Sequence, residues 1–338
     1  MDPGARLESL LAGHELPAQE IAAVCESLVM GTMDPAELAG LVVAFRAKRE
    51  SGGEMAAFAR TLIGVAKPFP APDYAFADSC GTGGDRQGTL NISTGVAFLA
   101  AACGLPIAKH GNRSVSSRSG SADVFEALGI PLQLAPEQAR ACLDEAGLCF
   151  LFAPQYHPGL RHAMPVRRAL GIRTLFNLLG PLLNPARPPI QLVGVYDPDC
   201  TEPMAQALAE LGRTRAIVLH GSGIDEMALH GPTRLSLLRD GVIENQILEP
   251  ASLGIPSYPL AALQGSDAAA NARALADLLD GRAKPAYAWS VALNTGALLW
   301  IAGRCETLRE GAEQAYATLA AGGARNILTR LREVATRA

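Results

Sequence analysis

The residues best suited to chemistry lie in one glycine-rich stretch, Cys80-Gly81-Thr82-Gly83-Gly84-Asp85-Arg86-Gln87-Gly88-Thr89, running into Asn91-Ile92-Ser93-Thr94. Glycines let backbone N–H groups close on phosphate oxygens, and a following helix start adds unpaired donors and partial positive charge. Asn91, Ser93 and Thr94 are capping residue types whose side chains can donate to a phosphate instead. The triphosphate loop has its glycine spacing at Gly83 and Gly88 but needs lysine where Thr89 stands. The dinucleotide fingerprint starts at Gly81 and fails at Arg86. On the loop alone, a glycine-rich turn without a ligand stays open.

A second stretch, from Lys109 to Ser121, packs three cations and five serines into thirteen residues. Cations neutralise phosphate charge while hydroxyls and backbone N–H groups direct it. A solvated basic loop is the plain alternative. Two phosphate-adapted loops after successive strands suggest a ligand with two phosphate groups, bound where open α/β sheets bind ligands. Arg167, Arg168 and Arg173 crowd an otherwise apolar helix, and arginine can grip a carboxylate with two parallel hydrogen bonds. His157 could be a base, a ring-edge contact or a structural donor, and its sequence context favours the last. Asp225-Glu226, in a glycine-rich loop after an apolar run, offers either a Mg²⁺ site or a solvated acidic turn.

The elements that must position these groups fall into two parts. Residues 1–67 read as helices only: Pro17 to Met30, a helix from Asp34-Pro35 towards Lys48 that Ser51-Gly52-Gly53 stops, and another from Glu54 to Val65. Pro68 to Asp73 is a proline-rich boundary. From Tyr74 on, strand-like runs (74–77, 107–108, 149–152, 190–195, 216–219) alternate with helical segments (122–128, 136–146, 199–211). That alternation predicts an α/β domain over 73–338 with a mainly parallel sheet. Residues 233–248 read as a hairpin around Arg239-Asp240-Gly241, and helices follow at 267–280, 288–302 and 306–320.

A hydrophobic content of 49% is ample for a core, and a net charge of -4 argues against wholesale nucleic-acid binding. The longest apolar runs are broken or too short to span a bilayer, and the first residues carry no evident secretion signal. Seven scattered cysteines without a C-x-x-C pair favour free thiols in a reducing, cytoplasmic setting.

Taken in order, several stretches resemble the anthranilate phosphoribosyltransferases over essentially the whole chain. They are Gly81 to Asp85, Asn91 to Thr94, Lys109 to Ser117, Val166-Arg167-Arg168, Arg173 to Leu182, and Asp225-Glu226. The resemblance implies a small helical domain, joined by helices from about 160–182, and a larger α/β domain of nucleoside phosphorylase and phosphoribosyltransferase type. It also implies a site in the cleft between them and a homodimer formed through the helical domain. It further implies transfer of the 5-phosphoribosyl group from phosphoribosyl pyrophosphate to the amine of anthranilate. Gly81, Gly84, Asp85, Thr89, Asn91, Ser93, Thr94, Lys109 and Ser121 would hold the donor. Gly81, Asn112, His157, Arg167 and Gly180 would line the anthranilate site, with Arg167 on the carboxylate. Ser93, Asp225 and Glu226 would organise Mg²⁺, about two ions per subunit. Lys109 and Arg167 carry the catalytic expectation, and no general base is named.

The chain departs from the family pattern at Leu90, where an aromatic is common, at Gly159-Leu160, and at Arg86-Gln87-Gly88. A pyrimidine-nucleoside phosphorylase is similar in fold but should carry different loops in place of Lys109 to Asn112. A transferase acting on a substituted aminobenzoate remains open. A nucleic-acid-binding homologue without chemistry would need a broad basic surface, against the overall charge, and loss of the carboxylate pair.

Overall fold

A computed structural model describes residues 1–114 and 119–337; Val115, Ser116, Ser117 and Arg118 of the second loop lie outside the described residues. Four helices open the chain: α1 (Pro3–Leu11), α2 (Ala18–Met30), α3 (Pro35–Lys48) and α4 (Gly52–Gly64). Asp34 caps α3 as its position before a proline predicts, its Oδ1 accepting from the N–H groups of Ala36 at 2.7 Å and Glu37 at 3.3 Å. The expectation that Ser51 to Gly53 only ends this helix needs correcting, because they begin the next one. Ser51 Oγ accepts from Glu54 N and Glu54 Oε2 from Ser51 N, a reciprocal capping box. The break falls earlier, at Arg49, whose φ of 72° no helix tolerates.

Glu54 does more than cap. It is 1% exposed, and its Oε2 also receives Lys48 Nζ at 2.8 Å while Oε1 receives the N–H of Leu16 at 3.2 Å. One buried carboxylate therefore ties three segments of the helical unit together.

The rest of the chain builds a seven-stranded sheet in the order β3-β2-β1-β4-β5-β6-β7. The strands are β1 (Ala77–Gly81), β2 (Ile107–Gly111), β3 (Leu148–Phe152), β4 (Ile190–Gly194), β5 (Arg215–Gly221), β6 (Thr233–Arg239) and β7 (Val242–Leu248). The pairs among β1 to β5 are parallel, and β6 and β7 add on antiparallel. Asp240 and Gly241 both have positive φ, as the tight turn between β6 and β7 requires. The first strand is displaced from its expected place: only Ala77 of 74–77 belongs to it, and the ladder to β4 runs on through Gly81. Likewise β2 extends through Lys109, His110 and Gly111, so the lysine stands on a strand and not in the loop after it.

Alternate residues of the central strands feed two apolar clusters. Leu192, Ile217 and Leu219 pack with the buried helix α5 (Ile92–Ala102) and helix Pro285–Ile301. Val193, Ala216 and Val218 pack with residues of the first four helices and of helix Leu175–Leu182. The first helices thus share a core with one face of the sheet.

Replacing Glu54 by alanine removes the carboxylate partner of the Lys48 ammonium, which keeps the Arg49 carbonyl, and leaves the Leu16 N–H without its acceptor. The expected loss is about 3 kcal/mol of unfolding free energy, read by denaturant titration; a loss under about 1 kcal/mol would contradict this role for the carboxylate.

Candidate functional site

The carboxyl ends of β1, β4 and β5 lie side by side, and each ends in glycine: Gly81, Gly194 and Gly221. Gly81 and Gly194 are partners in register. A Cβ on Gly81 would stand 2.4 Å from Asp225 Oδ2, and one on Gly194 only 1.6 Å from the Asp225 carbonyl oxygen. The glycines therefore form a notch that the Asp225-Glu226 loop fills. Asp225 Oδ2 accepts from the N–H of Gly83 at 2.8 Å, tying the acidic loop to the glycine loop.

The charges gathered here are poorly matched. Burial, then the charge of Asp85, pushes the Asp225 carboxyl up to about 7. Burial, then Asp225, pushes Glu226 well above the ordinary carboxylate range. Glu226 Oε1 accepts from Ser93 N at 3.0 Å. Asp85 Oδ1 accepts from Gln87 N at 3.1 Å, while its Oδ2 is buried with no hydrogen-bond partner among the described residues. Lys109 is 1% exposed, and its Nζ donates to Ser79 O, to Ser93 O at 3.3 Å and to Ser93 Oγ at 3.4 Å. No carboxylate lies within ion-pair distance of it among the described residues. Among those residues no three acidic, histidine or cysteine side chains form a ready metal cage. The orphaned Asp85 oxygen and two carboxylates that burial keeps from ionising nonetheless fit a hard divalent cation sharing its shell with phosphate. Ser93, Asp225 and Glu226 are the residues that could hold it.

The glycine loop is braced from behind. Leu90 N donates to Leu263 O, Gly265 N to Gly88 O, and Thr89 bridges Gln264. Asn91 stands at the N-cap of α5, but the expected side-chain cap is not made. Its amide instead accepts from Asn271 Nδ2 at 2.9 Å and donates to Ser119 O at 3.2 Å, because tertiary partners outbid the local one. Thr94 Oγ1 is buried without a partner among the described residues.

The prospective acceptor side gathers around His110. Its Nδ1 lies 3.3 Å from the Gly180 carbonyl and its ring meets His157 edge-on at 5.6 Å. Burial holds both imidazoles neutral, His110 near 3. His157 Nε2 lies 2.7 Å from Leu183 O, as a structural donor would. A side chain on Gly180 would project into open space. Ser121 Oγ donates to Asn112 O at 3.5 Å, and Asn112 Oδ1 accepts from Arg113 N. Arg167 stands on helix Met164–Leu170 with its guanidinium 5.4 Å over the Phe176 ring and no ion pair among the described residues. None of its contacts joins it to the other predicted residues.

Sequence reasoning passed over Gly194, Asn271 and Tyr196, and gave His110 no role. Asn271 and Tyr196 carry no local signal, since each acts on a loop far away in the chain. A glycine ending a strand was a usable sign at Gly194.

A raised carboxyl stabilises the folded state only while protonated. The contribution of Asp225 is full below its ordinary value of 3.8 and lost as pH rises through about 7. The ligand-free Asp225→Asn variant should therefore gain melting temperature relative to wild type between pH 5 and pH 8. A constant difference across that interval would show that Asp225 ionises normally.

Two family descriptions match the chain: "Glycosyl transferase family, helical bundle domain" over residues 6–66 and "Glycosyl transferase family, a/b domain" over residues 73–325. An anthranilate phosphoribosyltransferase of Sorangium cellulosum is 55% identical over 324 residues, covering 96% of this chain and 93% of that protein. One of Aeromonas hydrophila is 48% identical over 325 residues, covering 96% and 95%. The crystal structure of the Thermus thermophilus anthranilate phosphoribosyltransferase matches with a TM-score of 0.92 and 41% identity, covering 98% of this chain and 99% of that one. The Saccharomyces cerevisiae enzyme, in complex with phosphoribosyl pyrophosphate and Mg, matches with a TM-score of 0.88 and 25% identity over 99% and 98%. The chain belongs to the anthranilate phosphoribosyltransferase family.

Proposed function

We infer that the protein transfers the 5-phosphoribosyl group from phosphoribosyl pyrophosphate to the amine of anthranilate, the phosphoribosyl step of tryptophan biosynthesis. The observation that carries this reading is the buried Lys109 ammonium, free of any carboxylate partner among the described residues and set beside the glycine loop and the Asp225-Glu226 pair. An unpaired buried cation calls for an anionic ligand, and the loop amides offer a phosphate its hydrogen bonds.

In the transfer, the amine nitrogen bonds to the anomeric carbon as the carbon–oxygen bond to pyrophosphate breaks, and the nitrogen then gives up one proton. Lys109 and the amides of Gly84 and Asp85 hold the charge that builds on the leaving group. Ser93, Asp225 and Glu226 would hold Mg²⁺, and the buried Asp85 carboxylate would add negative charge at the same site. When bound, Mg²⁺ supplies further positive charge to the leaving oxygens. Arg167, partnered among the described residues only by a ring and a thioether, binds the carboxylate of anthranilate. Asn112, His157 and Gly180 complete that pocket. The neutral, weakly basic histidines suit an aniline nitrogen, for which placement matters more than proton abstraction.

Residues 1–67 together with about 160–182 act as one body against 73–338 in this reading, with substrates entering between them. Leu11, Met30 and Val43 stand exposed on the helical unit and are suited to a second copy of the chain. No helix is long and apolar enough to cross a membrane, and the free cysteines suit a reducing cytoplasm.

Anthranilate fluorescence should fall only when phosphoribosyl pyrophosphate and Mg²⁺ are both present; no loss at saturating substrates would refute the assignment. Lys109→Ala should lower kcat by about two to three orders of magnitude, and wild-type turnover would remove Lys109 from the mechanism. Arg167→Ala should raise the anthranilate KM about 10- to 100-fold and leave the donor KM nearly unchanged, whereas equal effects on both would move Arg167 off the carboxylate.

A further inference from the structure

Arg173 lies between helices Met164–Leu170 and Leu175–Leu182, outside every group placed so far on donor, acceptor or metal. Its Nη2 donates to the carbonyl of Gly84, in the middle of the glycine loop. Its guanidinium lies 4.4 Å over the ring of Tyr196 and has no carboxylate within ion-pair distance among the described residues. Tyr196 is 5% exposed and is itself fixed to the loop, its N–H donating to Thr82 Oγ1 at 3.0 Å. From the other side of the molecule, Arg46 of α3 donates through Nη1 to Tyr196 Oη at 3.2 Å. Its guanidinium lies 5.6 Å from the same ring. A continuous line of contacts therefore runs from the helical unit through Arg46, Tyr196 and Arg173 to Gly84.

The consequence for the loop follows from the peptide plane. In a trans peptide the carbonyl and the N–H of the next residue point to opposite sides. Holding the Gly84 oxygen on Arg173 therefore turns the Asp85 N–H away from Arg173. Neither the Gly84 nor the Asp85 N–H meets an acceptor among the described residues. Gly84 has a φ of 80° and Arg86 one of 62°, a chain path with little local preference to hold it. An external anchor is needed, and a guanidinium stacked on a ring is a rigid one.

We propose that Arg173 is a positioning residue for the donor. By gripping the Gly84 carbonyl it presents the amides of the glycine loop to the phosphate groups, and through Tyr196 and Arg46 it ties that presentation to the helical unit. The inference rests on the transfer reading above for the identity of the donor, but not for the anchoring itself.

The test compares wild type with Arg173→Met, Arg173→Lys and Tyr196→Phe. Arg173→Met should raise the KM for phosphoribosyl pyrophosphate about tenfold or more, with the anthranilate KM and the melting temperature close to wild type. Arg173→Lys keeps the charge and a donor but not the planar stack, and should recover part of that loss. Tyr196→Phe keeps the ring under Arg173 and removes the hydrogen bond to Arg46, giving a smaller rise in the same parameter. An unchanged donor KM in both Arg173 variants, or a melting temperature that falls without it, overturns the proposal. Amide exchange in the ligand-free proteins judges the anchoring separately from any activity. The Gly83 amide should exchange about tenfold faster in Arg173→Met than in wild type, and equal rates overturn the proposal even in an active enzyme. Absence of transfer in wild type, with faster Gly83 exchange in the variant, would defeat the functional reading and leave the anchor standing.

Discussion

Charges of unequal number and sign are held together out of water at the ends of adjacent strands, and most of the site follows from that. Lys109 is fully buried and bonds, among the described residues, only to carbonyls and a hydroxyl, while Asp225 and Glu226 are half-buried and resist ionisation. Crowding like charges in a low-dielectric interior is costly, and bringing an ammonium into it without a partner is costly too. The fold sustains the arrangement because a large apolar core surrounds it on both sheet faces. A doubly charged cation and a polyanion arriving together would satisfy both kinds of charge at once.

Topology decides where this can happen. The chain leaves β1 towards β2 and leaves β4 towards β5, in opposite directions, so a crevice opens between their carboxyl ends. The glycine loop leaves β1 there, Lys109 reaches across from β2, and the notch at Gly81 and Gly194 admits the acidic loop that follows β5. None of these groups is near another in sequence. Each is brought in by a strand whose place is set by its ladder to its neighbours in the sheet.

That division explains what could be read beforehand. Local rules located Asp34-Pro35 at a helix start and Arg239-Asp240-Gly241 at a hairpin, because cap and turn energies depend on a few neighbouring residues. The helical unit, the mainly parallel sheet and the family followed from periodicity and ordered motifs. The first strand was misplaced because Ala77-Asp78-Ser79-Cys80-Gly81 shows no apolar pattern. Its buried Asp78 is made tolerable by Asn184 at 2.9 Å, a partner no local rule reveals. Ser51 to Gly53 misled in the same way, since a capping box is recognised only together with Glu54. Arg173 sat among arginines read as carboxylate binders, and its contact with Gly84 depends on tertiary structure alone.

The central claim is that the carboxylates of the site are largely protonated before ligands bind and must ionise when they do. Calorimetric titration of phosphoribosyl pyrophosphate with Mg²⁺ into the protein, repeated in buffers of different ionisation enthalpy, measures that directly. Near pH 6.5 the account predicts release of about two protons per site beyond those of the ligands themselves, one from each carboxyl, and about one fewer in Asp225→Asn. Identical proton release in wild type and variant would contradict it.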